Sequence, residues 1–145
     1  MVLFAAVILI AADGVQLSFR TPGQSGMRVH WDTTGDGIPD SKPLVTPGRK
    51  IFRPGFNYRI KFTHIPGRPG LELYPTLQIA PANPRTAAYL DHNSVPIHFS
   101  NEDFDRVQTG NFVTKAVYLP GSESIFGQDR RGPILVIIRM GDKVL

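Results

Sequence analysis

The residue types best placed for chemistry in this 145-residue chain lie between Asp32 and Asp40, in the stretch DTTGDGIPD. Counting Asp32 as position one, oxygen-bearing side chains fall at Asp32, Thr34, Asp36 and Asp40, and Gly37 occupies position six. Side chains on alternate residues of a tight loop converge on one point, and a hard cation such as Ca2+ collects about six to eight oxygens. Asp32, Thr34, Asp36 and Asp40 are therefore the candidate metal ligands, with calcium as the candidate cofactor. Thr34 stands where a third acid would bind more strongly, and position twelve is Pro43 rather than a bidentate acid. So few anionic ligands suit extracellular calcium, in the range of about 10⁻⁴–10⁻³ M, better than a cytosolic trace. The competing reading is a metal-free Asp-Gly turn, since both residue types tolerate the left-handed backbone such a turn needs. Under either reading the loop is structural.

Catalytic patterns are missing. No GxSxG elbow, HExxH pair or GxxxxGK[ST] phosphate loop occurs, and the absence of cysteine removes thiolate chemistry and disulfides together. The histidines His30, His64, His92 and His98 are scattered. Asp91, His92 and Ser94 crowd together in LDHNS, but the members of a triad converge from separate elements rather than from one short run. Asp91 and Asn93 more simply end a helical turn. No catalytic residue is assigned, and the expectation is a protein that is not an enzyme.

The elements that must position these residues read as strands. In MRVHW, Met27, Val29 and Trp31 share one face and Arg28 and His30 the other, a period of two. In NYRIKFT, Tyr58, Ile60 and Phe62 point inward and Arg59 and Lys61 outward. KIF and NYRIKFT are separated by a PGF turn. LELYPTLQIA puts Leu73, Leu77 and Ile79 on one side, with Pro75 marking an edge or bulge. PILVII is a continuous apolar run of the kind covered on both faces, and it pairs with NFVTKAVYL as an inner strand. Thirteen prolines and fourteen glycines leave no room for long helices. Two short helical turns are expected, NPRTAAYL capped by Asn83 and SNEDFDRV with the capping-box pair Ser100 and Asp103. That box accounts for the acids Glu102, Asp103 and Asp105 without catalysis, and Phe104 is placed to plug one end of the core. About eight strands with turn signals between them predict an all-β fold, an antiparallel β-sandwich of Ig-like or transthyretin-like type, as a single domain over residues 13–145.

Residues 1–12 form a separate apolar segment. The eleven apolar residues Val2 to Ala12 are too few to span a bilayer, which takes about 20, so no transmembrane span is expected. They read either as a secretory signal lacking its basic start or as a strand that needs a partner surface. The net charge of +4 is modest. Arg49, Lys50, Arg53, Arg59, Lys61 and Arg68 run without an acid among them, but their alternation with apolar residues describes a solvated strand face rather than a nucleic-acid reader.

Two resemblances add to this. The Asp32–Asp40 stretch is similar to the calcium loops of thrombospondin type-3-like repeats, whose pattern is DxDxDGxxD, over nine residues only. The ordered blocks GMRVHW, PGRKIFRPGFNYRIKFTHIPGRPGLELYPTLQI, HNSVPIHFSNEDFDRVQTGNFVTKAVYLP and DRRGPILVIIRMGDK resemble a family of secreted proteins abundant in planctomycete bacteria. The second resemblance implies export to the periplasm or cell surface and supplies no catalytic residue to carry over. The chain departs from it in the short GSESIFGQ after YLP, where members carry a longer acidic insertion, and in the DTTGDGIPD loop itself. The expected function is a non-enzymatic, exported structural protein of the cell envelope or extracellular space, a self-assembling fibre or lattice subunit that associates through sheet edges. The alternative is a calcium-dependent binding module for a glycan or another envelope protein.

Overall fold

The computed structural model describes residues 14–21, 26–120 and 132–141. The expectation for the apolar segment 1–12 lies outside the described residues. Nine strands and two helices follow in order: β1 (Val15–Arg20), β2 (Arg28–Trp31), β3 (Leu44–Val45), β4 (Gly48–Phe52), β5 (Asn57–Thr63), β6 (Thr76–Ile79), α1 (Pro84–Leu90), β7 (Val95–His98), α2 (Asn101–Gln108), β8 (Val113–Tyr118) and β9 (Ile134–Met140). They form a small sheet in the order β4-β1-β7 and a large one in the order β3-β2-β5-β6-β9-β8. The chain is an all-β sandwich.

Period-two side chains build both layers. Val15, Leu17 and Phe19 of β1 are buried while Arg20 on the opposite face is exposed, and in β5 Ile60 and Phe62 are buried while Arg59 faces water. The buried faces meet in one core that a chain of aromatic contacts crosses. Tyr58 meets Phe52 at 4.9 Å between ring centroids, Phe52 meets Phe19 at 6.3 Å, and Phe19 meets Phe62 at 6.2 Å. The chain continues from Phe62 to Phe99 at 5.2 Å and from Phe99 to Phe104 at 5.9 Å. Most of these pairs are edge-to-face, the arrangement that sets a ring's positive edge against its neighbour's negative face. Phe104, on α2, ends the series at one end of the core as its sequence position suggested.

Both helices start where their caps predict. Asn83 Oδ1 accepts from the amides of Arg85 and Thr86, and Pro84 fills the first helical position. Ser100 and Asp103 form a reciprocal capping box.

The sheets show what the sequence reading did not give, for non-local reasons. β1 runs parallel to β7, with Leu17 opposite Val95 and Phe19 opposite Ile97, because the chain reaches β7 through β6 of the other sheet and α1, a crossover instead of a hairpin. The PGF turn is present, with Gly55 at φ +79°, yet β4 joins the small sheet and β5 the large one. β8 pairs with β9 as expected but lies at the edge of the large sheet rather than inside it. Along β9, Val136, Ile138 and Met140 alternate into the core and Leu135 is buried beside them, whereas Ile137 is half-buried and Arg139 exposed, so burial on both faces holds only near the start of the strand. Pro75 sits at the break its missing N–H imposes. Leu73 bridges Phe62, Pro75 only accepts (from the Ile60 amide, 3.0 Å), and the regular ladder resumes at Thr76.

Candidate functional site

The aspartate loop is closed at its base by backbone and hydroxyl. Ser41 N donates to Trp31 O at 3.0 Å and Trp31 N donates to Ser41 Oγ at 3.0 Å, while His30 bridges Ser41 O and Thr63 Oγ1. Within it, Asp32 accepts from the amides of Thr34 (2.9 Å), Gly35 (2.8 Å) and Gly37 (2.7 Å). Asp36 accepts from the Ile38 amide at 2.9 Å. Asp40 accepts from the hydroxyl and amide of Thr33 at 2.7 and 3.1 Å. Thr34 thus lends the loop its amide, and Gly37 takes the left-handed φ of +82° that the turn requires. The Gly37 amide, with those of Thr34 and Gly35, outweighs partial desolvation and holds Asp32 below the usual carboxylate range. The Thr33 hydroxyl, then its amide, does the same for Asp40. This is the geometry of an Asx-rich turn. Among the described residues no three histidine, aspartate or glutamate side chains gather as a metal site, and three of the roughly four lone-pair sites of the Asp32 carboxylate are already taken by loop amides.

Asp91, His92 and Ser94 do lie together, in the turn between α1 and β7, and all three line one open concavity of about 1060 Å³. Ser94 is not set up as a nucleophile: its hydroxyl donates to Gln16 Oε1 at 2.5 Å. The floor of the concavity is the outer face of the small sheet, where Gln16, buried Ser18 and exposed Arg20 alternate with the core residues Val15, Leu17 and Phe19 of β1. The pairing register sets Arg49 of β4 opposite Ser18, and Ile51 opposite Gln16. Half-buried Tyr89 stands in the α1 wall. Sequence reasoning noticed LDHNS and counted Arg49 in a basic run, but missed Arg20 and the face the two arginines share. The alternation VQLSFR would have placed Gln16, Ser18 and Arg20 on one face; that Arg49 joins them depends on which strand pairs with β1.

A second opening lies between facing edges of the two sheets. β7 and β8 flank a cleft of about 330 Å³ lined by Pro96, Ile97, His98, Lys115, Val117 and, from the core, Ile138. β7 is paired only with β1, and β8 from Val113 to Val117 only with β9, among the described residues.

The charged residues of α2 hold the sandwich ends together. Asp103 Oδ2 accepts from Lys115 Nζ of β8 at 2.6 Å. Arg68, in the HIPGRPG loop, reaches Asp105 at 2.7 Å, the carbonyl of Asn101 at 3.1 Å and the side chain of Gln108, with its guanidinium over the Phe104 ring. Lys61 pairs with Glu72 at 3.4 Å, and Lys50 lies 4.6 Å from the centroid of half-buried Trp31. Among the described residues no helix is long and apolar enough to cross a membrane. Compared with known proteins, the chain matches no family model, no curated protein and no solved structure.

Proposed function

We propose that this chain is a non-enzymatic structural protein, exported to the cell envelope or extracellular space, that assembles with copies of itself by adding a strand at an open sheet edge. The observation that carries the reading is the cleft between β7 and β8, where, among the described residues, the β7 edge and the β8 edge from Val113 to Val117 stand without a strand partner over a floor that includes core residues Ile97 and Ile138. An added apolar strand satisfies edge N–H and C=O groups and covers that floor in one step. The eleven apolar residues Val2 to Ala12 are the donor this chain carries in its own sequence. β1 offers no open edge of its own, being flanked on both sides, by β4 and by β7. Seating them on the next copy gives a head-to-tail contact, which propagates as a fibre or lattice. The resemblance to exported planctomycete proteins supports the location.

Removing residues Val2–Ile10 is the test. The shortened chain is expected to stay monomeric and folded by sedimentation, with the melting temperature of the full chain's subunit, while the full chain forms polymers; polymers of unchanged size from the shortened chain refute the reading. The alternative is the calcium-dependent binding module for a glycan or envelope protein. Its support is that Asp32 and Asp40 are held ionised on one exposed loop.

A further inference from the structure

The concavity over the small sheet has a chemistry that neither the assembly reading nor the aspartate loop uses. Arg49 lies opposite Ser18, and Arg20 lies two residues beyond Ser18 on the same face, so the two arginines are diagonal neighbours with Cβ atoms about 7 Å apart. Both are exposed, and among the described residues neither has an ion-pair partner. Like charges placed side by side repel, and an anion seated between them turns that repulsion into attraction. A guanidinium is suited to this because its planar fork grips a carboxylate or sulfate through two parallel hydrogen bonds.

The surroundings narrow the ligand. β1 and β7 run in the same direction, so the 91–94 turn stands beside the start of β1 while Arg20 stands at its far end. The concavity is therefore cationic at one end and at the other offers the imidazole of His92 and the side-chain oxygen of Asn93, whose amide nitrogen donates to Tyr89 O at 2.9 Å, beside the carboxylate of Asp91. Gln16, whose oxygen takes the Ser94 proton, keeps the two N–H donors of its amide. Ile51, 59 % exposed, and half-buried Tyr89 supply apolar surface. Neutral donors and acceptors, scattered apolar faces and two arginines match a chain of sugars that bears acid groups at intervals. Small-molecule sites are mostly apolar, closed and about 300–1,000 Å³; this one is polar, open and about 1060 Å³, the form of a groove that a polymer crosses. Single-stranded nucleic acid would want a row of aromatic platforms, and among the described residues of this lining Tyr89 is the one Phe, Tyr or Trp.

We propose that this concavity binds an acidic polysaccharide, with Arg20 and Arg49 on its carboxylate or sulfate groups and His92, Asn93 and Gln16 on its hydroxyls. The proposal is independent of assembly, since none of its residues lies in the β7–β8 cleft except Pro96 at the rim shared by both.

Calorimetry on the full chain, repeated on the chain lacking Val2–Ile10, tests it with four probes: an oligomer of galacturonic acid, a sulfated oligosaccharide, a neutral glucose oligomer and an oligothymidylate. At least one acidic sugar is expected to bind, and which one names the acid group; the neutral oligomer should bind at least about tenfold more weakly. Arg20→Gln and Arg49→Gln should each lower affinity about tenfold, the loss expected for one charged hydrogen-bonding group, with no change in melting temperature. Arg20→Lys and Arg49→Lys, which keep charge but lose the fork, should fall in between. Arg59→Gln, on the outer face of the large sheet, should bind as the wild type does. The proposal is overturned if neither acidic sugar binds, if the neutral oligomer or the oligothymidylate binds as tightly, or if Arg59→Gln costs as much as Arg49→Gln. Binding that survives loss of Val2–Ile10 while polymers disappear separates this proposal from the assembly reading.

Discussion

At Asp103 a single carboxylate oxygen takes the Ser100 amide at 2.8 Å and the Lys115 ammonium at 2.6 Å. Burial pushes its pKa up, but the Lys115 hydrogen bond and then the Ser100 amide pull it further down, so the net direction is below the ordinary carboxylate value. The stabilisation this gives is complete above the unfolded pKa of about 3.9 and is lost as the pH falls through the lower folded value. Asp103→Ala is expected to cost about 2 kcal/mol at neutral pH in a denaturant melt, from a lost cap and a lost charged hydrogen bond. The gap between variant and wild type should close in acid. At the aspartate loop the metal-free turn predicts no response to calcium, since the amides on Asp32 and the Thr33 pair on Asp40 already set its shape and the described residues gather no metal cluster. The melting temperature in millimolar calcium should equal that in chelator, and a rise reversed by chelator would make Asp32, Asp36 and Asp40 ligands after all. The loop's spacing was plain in the sequence. Whether its carboxylates face an ion or their own amides was not, because both solutions use the same residues.

Among the elements, local signals were legible and pairing was not. Asn83 and Ser100 could be read as caps because their partners lie two or three residues away. Trp31, Ile60 and Phe62 could be given faces because alternation is a property of one strand. The parallel β1–β7 pair and the split of β4 and β5 between sheets depend on contacts dozens of residues apart, and no short window contains them. The acids of α2 show both sides of this: the sequence explained Asp103 as a cap, while its bond to Lys115 and the clamp of Arg68 on Asp105 required knowing that β8 and the HIPGRPG loop flank the helix. Phe62 sits where the two stretches of aromatic contacts join, touching both Phe19 and Phe99. Phe62→Ala should therefore cost about 3–5 kcal/mol in the same melt, the range for a fully buried ring left as a cavity; a loss under 1 kcal/mol would mean the core closes over the gap.

Over the whole molecule, charge and hydrogen-bonding capacity are spread unevenly. Lys61, Arg68 and Lys115 are tied into ion pairs that brace the sandwich, while Arg20 and Arg49 face an open concavity and, among the described residues, β7 and the Val113–Val117 stretch of β8 leave adjacent edges without strand partners. The proposed assembly rests on those edges, and its central claim is that the next copy's apolar segment fills the β7–β8 cleft. Amide hydrogen exchange over Val95–His98 and Val113–Val117 tests that most directly, comparing the full chain with the chain lacking Val2–Ile10 over a range of concentrations. The account predicts protection of these amides that grows with concentration in the full chain alone. Equal exchange in the two chains at every concentration would contradict it.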